Sequence, residues 1–110
     1  KVGAIIVKND NIIAFGYNGT ISGFDNDCEC NNKTKKDVLH AESNAIAKCS
    51  KSLYSSIDST LYVTLSPCFE CAKLIIQSGI KNVIYFENYR NLSGIKLLKK
   101  AKINVQQILL

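Results

Sequence analysis

Four residues of this 110-residue chain combine side chains that could bind a metal with one that could carry protons. His40 and Glu42 lie two positions apart, and Cys68 and Cys71 follow in a Pro-Cys-x-x-Cys segment that begins at Pro67. One imidazole and two thiolates fill three tetrahedral positions of zinc, and a catalytic zinc keeps the fourth position for water. Zinc lowers the pKa of such a water to near neutrality. The pattern therefore predicts hydrolytic chemistry, with His40, Cys68 and Cys71 as zinc ligands and Glu42 as the proton carrier.

Both halves of this pattern are predicted to lie at helix starts. Cys68 and Cys71 are three positions apart, which places them on one face of a helix, and Pro67 suits the first turn. At the start of another helix, His40 can point at the metal while Glu42 points at its water. The positive end of a helix dipole next to two thiolates is expected to lower their pKa values.

Each half also has an alternative interpretation. A Cys-x-x-Cys pair can be a redox pair or half of a structural zinc site, and a histidine at a helix start can be a cap or a packed side chain. The only His and the only Pro of the chain both belong to the pattern, however. A redox pair would leave His40 and Glu42 without a role, so the joint pattern favours a catalytic zinc.

Composition limits the class of protein. The chain is 46% hydrophobic, which indicates one globular domain over residues 1–110. No apolar run approaches the roughly 20 residues of a membrane span, and the first residues resemble a strand more than a signal peptide. We therefore expect no membrane association. Five cysteines, an odd number, favour a reducing compartment such as the cytoplasm. The chain begins with Lys and has no Met, which indicates a fragment.

The net charge of +5 favours anionic partners such as a nucleotide phosphate. Arg90 is the single arginine, and no basic groove with interleaved aromatic residues is visible in the sequence. Because single-stranded nucleic acids are bound by such grooves, we expect no stable nucleic-acid partner.

The hydrophobic pattern predicts an α/β fold, with a three-layer α/β/α arrangement and a five-stranded mixed sheet between helices. A Gly/Asn/Asp-rich loop is predicted over residues 18–32, and a turn at residues 9–11 predicts a hairpin. Parallel neighbours with right-handed crossovers are expected, and the site is expected where loops leave the strand ends. The predicted strands are Val2–Lys8, Ile12–Tyr17, Thr60–Leu65, Asn82–Phe86 and Asn104–Ile108, and the predicted helices are Leu39–Ser50, Cys68–Ser78 and Leu92–Ala101.

The spacing H-x-E…P-C-x-x-C is the signature of zinc-dependent nucleobase deaminases. The chain resembles the cytidine deaminase superfamily, and within it the deoxycytidylate (dCMP) deaminases. The Gly-Tyr-Asn-Gly-Thr segment at residues 16–20 and Asn44 in His-Ala-Glu-x-Asn resemble the dCMP branch in particular. The similar segments cover almost the whole chain: Val2–Ile6, Gly16–Thr20, Ser22–Phe24, His40–Ile46, Leu61–Cys68 and Cys71–Lys81.

The resemblance implies a cytidine-deaminase-like fold and hydrolysis of dCMP to dUMP and ammonia, which supplies dUMP for dTMP synthesis. It implies zinc on His40, Cys68 and Cys71, with Glu42 as the proton shuttle. It further implies that the Ala41 backbone contacts the pyrimidine, that Asn18 binds the substrate and that Asn44 binds its deoxyribose. Asn18 can also be explained as a turn residue before a glycine, and Asn44 as an ordinary residue of a helix surface.

The resemblance also implies regulation and assembly. Many members are homohexamers that dCTP with Mg²⁺ activates and dTTP inhibits. The segment Gly16–Gly23, which includes Tyr17, Asn18, Gly19 and Thr20, resembles part of that regulatory site.

Three departures from the family pattern stand out. The family has a helix ahead of the first strand, with an arginine that helps to bind phosphate, and the chain is expected to lack both. Ile21 stands where the family usually has Pro. Cys28, Cys30 and Cys49 either form a cysteine-only second zinc site or are reduced, free thiols.

Two other functions remain open on the sequence alone. One is a polynucleotide deaminase that acts on tRNA adenosine or on cytosine in single-stranded DNA. The other is a degenerate, non-catalytic subunit that keeps the fold.

Overall fold

The computed structural model describes residues 2–20, 29–30, 33–34 and 38–109. Within these ranges no helix is both long and apolar enough to cross a membrane. The strands are β1 (Gly3–Lys8), β2 (Asn11–Tyr17), β3 (Gly19–Thr20), β4 (Glu29–Cys30), β5 (Lys33–Thr34), β6 (Val38–Leu39), β7 (Thr60–Leu65), β8 (Asn82–Glu87) and β9 (Asn104–Gln107). The helices are α1 (Ala41–Ser50), α2 (Phe69–Gln77) and α3 (Ser93–Lys100).

Five of the strands form one mixed sheet in the order β2-β1-β7-β8-β9. β1 is antiparallel to both β2 and β7, whereas β7, β8 and β9 are mutually parallel neighbours. The parallel neighbours are joined through α2 and α3, as expected for strands that need a long crossover connection. The α/β class with a five-stranded mixed sheet is confirmed.

The hairpin between β1 and β2 closes through two residues with positive φ, Asn9 at 52° and Asp10 at 64°. Two successive residues in this region form the turn whose twist matches antiparallel strands, and Asn and Asp tolerate it better than most residues. The pairing shifts between Ile6 and Val7, which face Ala14 and Ile12. One extra residue in β2, Ile13, therefore forms a bulge in this edge strand.

The core lies between the sheet and the helices. Alternate strand residues such as Ile6, Leu61 and Val83 are fully buried, and Ile75 of α2 and Leu98 of α3 are buried with them in one cluster. The intervening residues of the same strands are only partly buried. Since strand side chains alternate between faces, the fully buried residues mark the face of the sheet that the helices cover.

The bounds of the regular elements match the sequence prediction within one residue, except at the start of α1, which lies two residues later than predicted. Leu39 was predicted to begin this helix, but it belongs to β6, which pairs with β3. The two-residue strand β4 lies within the predicted loop and pairs with β5, which follows that loop. A hydrophobic pattern needs several residues to show a period, so such short pairings could not be predicted. Ile21 and Ser22–Phe24 lie outside the described residues.

Several strand ends meet at one edge of the sheet. Gly3 at the start of β1 faces Tyr17 at the end of β2, and the Gly3 N–H donates to Thr64 Oγ1 near the end of β7 at 3.1 Å. β8 ends beside β7, where Leu65 faces Glu87. The chain leaves this edge after Leu65 to enter α2, which brings the Cys-x-x-Cys segment to the same place.

Candidate active site

Three donor atoms predicted to bind zinc lie together. His40 Nδ1 is 3.5 Å from Cys68 Sγ and 3.4 Å from Cys71 Sγ, and the three donor atoms lie within 4.8 Å of one another. Tetrahedral zinc, with Zn–S of about 2.3 Å and Zn–N of about 2.0 Å, requires N···S separations of about 3.5 Å. His40 is exposed and Cys71 is buried, so one side of the cluster faces solvent. The donor set, its spacing and its open side fit a zinc ion with room for water.

The start of α2 presents both sulfurs. Cys68 is the N-cap, with an extended backbone at φ −74° and ψ 173°, and its Sγ accepts the Cys71 N–H at 3.5 Å. The Ala72 N–H donates to the Cys68 carbonyl at 2.9 Å and closes the first turn. Cys68 thus replaces the usual Ser, Thr, Asp or Asn cap with a sulfur acceptor, which holds the two cysteines side by side.

The start of α1 supplies the imidazole. His40 is the N-cap, and its side chain makes no capping hydrogen bond to the helix. Its carbonyl accepts the Asn44 N–H and the Ser43 hydroxyl, both at 2.9 Å. The backbone of His40 is therefore fixed by the helix while its ring is directed at the two sulfurs.

Glu42 lies in the first turn of α1 and is only 4% exposed. Burial raises the pKa of its carboxyl group, while its own backbone N–H, the His40 ring and the Cys71 thiol partly oppose this increase. A carboxyl group with a raised pKa, next to a metal-type cluster, suits a general acid–base role near neutral pH.

The two cysteines differ in protonation. Hydrogen bonds from the Cys71 thiol and from His40 lower the pKa of Cys68 to about 3, against the opposing effect of burial. The Cys68 sulfur and burial raise the pKa of Cys71. The prediction that the helix start lowers both pKa values is thus wrong for Cys71, because its thiol is buried and donates its proton to the Cys68 sulfur. Without a metal, the proton of Cys71 lies in the hydrogen bond to the Cys68 sulfur. A divalent cation would bind both sulfurs as thiolates, and its positive charge would replace that proton.

The residues expected to bind substrate lie at the same sheet edge. Asn44 Nδ2 donates to the Tyr17 carbonyl at 3.0 Å, and Ala41, next to His40, is fully buried. Asn18 Oδ1 accepts the Val2 N–H at 3.2 Å, while the Asn18 N–H donates to the Val2 carbonyl at 3.1 Å. The Asn44 contact ties α1 to the end of β2, and the Asn18 contacts tie the residue after β2 to the residue before β1.

Of the remaining cysteines, Cys49 is not part of the donor cluster, and Cys30 is described only as a residue of β4. Cys49 of α1 is buried, and its Sγ lies 3.7 Å from the Tyr54 carbonyl, to which the thiol donates. Cys28 lies outside the described residues. The segment expected to be regulatory is described through Thr20, with Tyr17 exposed and with Gly19 and Thr20 in β3.

Sequence reasoning missed three residues that support the cluster: Ser66, Gly16 and Gly94. Ser66 is buried, and its hydroxyl accepts the Tyr89 N–H at 2.6 Å. A β-carbon at Gly16 would lie 2.6 Å from the Ala45 nitrogen of α1, and at Gly94 the space is equally closed. A glycine inside a strand or a helix often marks a place where another backbone comes close. The sequence could therefore have pointed to Gly16 and Gly94, but not to Ser66.

Comparison with known proteins decides the family. The family model of the cytidine and deoxycytidylate deaminase zinc-binding region matches residues 1–87. The chain belongs to this family. His40, Glu42, Cys68 and Cys71 all lie within the matched residues, so the zinc-binding family and the observed donor cluster agree.

Similar proteins extend the match beyond residue 87. A dCMP deaminase from the cyanophage S-TIM5, solved in complex with dCMP and dUMP, is 47% identical and has a TM-score of 0.95 over 98% of this chain and 81% of that one. The deoxycytidylate deaminase of Enterobacteria phage T4 is 36% identical, over 96% of this chain and 77% of the phage protein. ComE operon protein 2 of Bacillus subtilis is 40% identical over 98% of this chain. The chain spans 60% of the length of that Bacillus protein.

Proposed function

We propose that this chain is a zinc-dependent deaminase domain that hydrolyses dCMP to dUMP and ammonia. The observation that carries the proposal is the cluster of His40 Nδ1 with the two sulfurs at zinc-compatible separations, beside the buried Glu42. The choice of dCMP is supported by the similarity to the cyanophage enzyme that was solved with dCMP and dUMP.

His40, Cys68 and Cys71 would hold the zinc, which supplies a Lewis acid that makes water nucleophilic near neutral pH. Glu42 accepts one proton of the attacking water and delivers it to the ring nitrogen. It then accepts the proton of the resulting C4 hydroxyl group and delivers it to the amino group. The C4–N bond of cytosine breaks, a C4 carbonyl forms and ammonia leaves. Burial of Glu42 raises its pKa, which suits a group that must hold a proton in part of every turnover.

The substrate is proposed to lie across the edge where α1 meets β2. The Ala41 backbone contacts the pyrimidine, and Asn18 and Asn44 bind the nucleotide, Asn44 at the deoxyribose. The hydrogen bond from Asn44 to the Tyr17 carbonyl supports this arrangement, since it fixes one such side chain between the two elements.

Regulation, assembly and location belong to the same proposal. A regulatory dCTP with Mg²⁺, or an inhibitory dTTP, would bind at Tyr17–Thr20 in a homo-oligomer, of six copies by family resemblance. A reducing compartment such as the cytoplasm is proposed because the two cysteines of the cluster must remain thiolates to bind zinc. A titration of dCMP turnover with dCTP and dTTP tests the regulatory part.

The test is an ammonia-release assay on the full-length protein with dCMP, deoxycytidine, dCTP and a single-stranded oligonucleotide, each with and without a zinc chelator. We expect turnover of dCMP that chelation removes. Turnover of the oligonucleotide alone would instead establish a polynucleotide deaminase. A zinc-loaded protein that turns over none of the four would indicate a non-catalytic subunit.

A further inference from the structure

The first turn of α3 touches the backbone that carries Cys68. A β-carbon at Gly94 would lie 2.1 Å from the Pro67 carbonyl oxygen and 2.7 Å from both the carbonyl carbon and oxygen of Cys68. All three are backbone atoms, so no side-chain rotation could relieve such a contact. Only a residue without a side chain fits at position 94 unless α3 or the Pro67–Cys68 peptide moves.

The segment that leads into α3 is tied to the same place. The Ser66 N–H donates to the Glu87 carbonyl at 2.8 Å, and the Ser66 hydroxyl accepts the Tyr89 N–H at 2.6 Å. Ser66 is buried, so neither hydrogen bond competes with bulk water. Ser66, which lies two residues before Cys68, is therefore held by the end of β8 and by the segment after it.

α3 is itself firmly placed in the core. Ile95 and Leu98 are buried against the sheet, and Gly94 between Ser93 and Ile95 is buried as well. Glycine is less favourable than alanine in a helix, and α3 has only eight residues in which to offset that cost. The close approach of Pro67 and Cys68 explains why a glycine is present at position 94 in spite of this cost.

We propose that Gly94 is a positioning residue, through which α3 fixes the Cys68 backbone and so the geometry of the zinc ligands. Zinc–ligand distances tolerate only about 0.2 Å, and Cys68 reaches the cluster from an extended N-cap whose Sγ moves with its backbone. No residue of α3 is a zinc ligand, so the helix acts on the metal site only through the backbone of Cys68. The proposal rests on the metal site of the proposed function but not on the identity of its substrate.

The first experiment compares wild type with Gly94→Ala. Zinc affinity is measured by competition with a chromophoric chelator, and cobalt is substituted for zinc to record the thiolate-to-cobalt and visible absorption bands. Loss of supporting contacts around metal ligands typically weakens metal affinity by about 10–100-fold, and we expect a loss in this range with altered cobalt bands. Unchanged affinity and bands would overturn the proposal.

The matched control is Gly79→Ala. Gly79 has a positive φ of 80°, and a β-carbon there would lie 3.0 Å from the Ile57 side chain, away from Pro67 and Cys68. This variant is expected to lower thermal stability while zinc affinity and cobalt bands stay as in wild type. If Gly79→Ala weakened zinc binding as much as Gly94→Ala, general destabilisation would explain both results and the proposal would be wrong.

A second measurement on the wild type does not depend on whether Gly94→Ala folds. Hydrogen exchange is recorded with zinc and after chelation. Because coupling is reciprocal, zinc should slow exchange of amides in the first turns of α3, as well as in α1 and α2. Protection confined to α1 and α2 would overturn the proposal. Failure of dCMP turnover in a zinc-loaded protein with this protection would contradict the proposed function instead, whereas a wild type that binds no zinc would contradict both.

Discussion

Glu42 is the residue whose proposed role can be separated most clearly from metal binding. We expect Glu42→Gln to lower kcat for dCMP about 10²–10⁴-fold, because the amide keeps the shape of the side chain but cannot carry a proton. Zinc content should remain near that of wild type, since Glu42 is not one of the three donors. Ammonia release and elemental analysis of the purified variant check both expectations.

Glu70→Gln is the matched control for that substitution. Glu70 lies one residue before Cys71 in the first turn of α2, but it is exposed and pairs with Lys73 at 2.8 Å. Exposed ion pairs contribute about 1 kcal/mol or less, so this variant should retain activity. Loss of zinc in Glu42→Gln would contradict the assigned role, because it would make the carboxylate a ligand.

Residue types and spacing were enough to predict which side chains meet. His40, Cys68 and Cys71 belong to chain segments almost thirty residues apart, yet the spacing of the motif and the donor types that zinc prefers selected them together. Protonation could not be predicted in the same way. The raised pKa of Cys71 depends on the position of its partner sulfur and on burial, and a sequence pattern contains neither.

At the scale of elements, Gly16 sets how closely α1 lies on β2. A β-carbon at Gly16 would lie 2.6 Å from the Ala45 nitrogen and 2.8 Å from the Ala41 carbonyl oxygen. Because both are backbone atoms, we expect Gly16→Ala to push the helix away and to cost about 1–3 kcal/mol of unfolding free energy. Urea unfolding of the variant measures this cost.

Gly3→Ala is the control for that prediction. Gly3 pairs with the neighbouring Tyr17 in the same sheet, but nothing lies within 4 Å of a β-carbon there. Its unfolding free energy should stay within about 0.5 kcal/mol of wild type, as for most substitutions without new contacts. Equal losses of unfolding free energy at Gly3 and Gly16 would show that the contact with α1 does not determine the result.

The elements themselves divide into a part that the sequence predicts and a part that it does not. β7 was predicted at its observed bounds because six residues of β-branched and apolar character lie between turn signals. The start of α1 was placed too early because Leu39 has the apolar character of a helix residue, while its pairing partner in β3 is twenty positions away. Contacts across such distances are set by the fold and not by local pattern.

For the whole molecule, the order of strands and helices predicted the mixed sheet and the edge at which the site lies. Parallel strands need crossover helices, and these helices begin at the carboxyl ends of strands, where active sites of such sheets are found. The contribution of α3 to the site could not be predicted in this way. Gly94 and Cys68 are distant in sequence, and only their backbone contact shows the connection.

Zinc is expected to stabilise the whole fold, because its proposed ligands join the start of α1 to the start of α2. A ligand that binds only the native state at 100 times its Kd adds about 2.7 kcal/mol, which in a domain of this size raises Tm by on the order of 10 °C. Calorimetry of wild type with zinc and with chelator should show this difference, and His40→Ala should abolish it.

Cys49→Ala is the control, since this buried thiol lies outside the cluster and contacts the Tyr54 carbonyl instead. It should lower Tm in both conditions and leave the zinc-dependent difference intact. A zinc-dependent shift that survives in His40→Ala but disappears in Cys49→Ala would place the stabilising metal elsewhere in the protein.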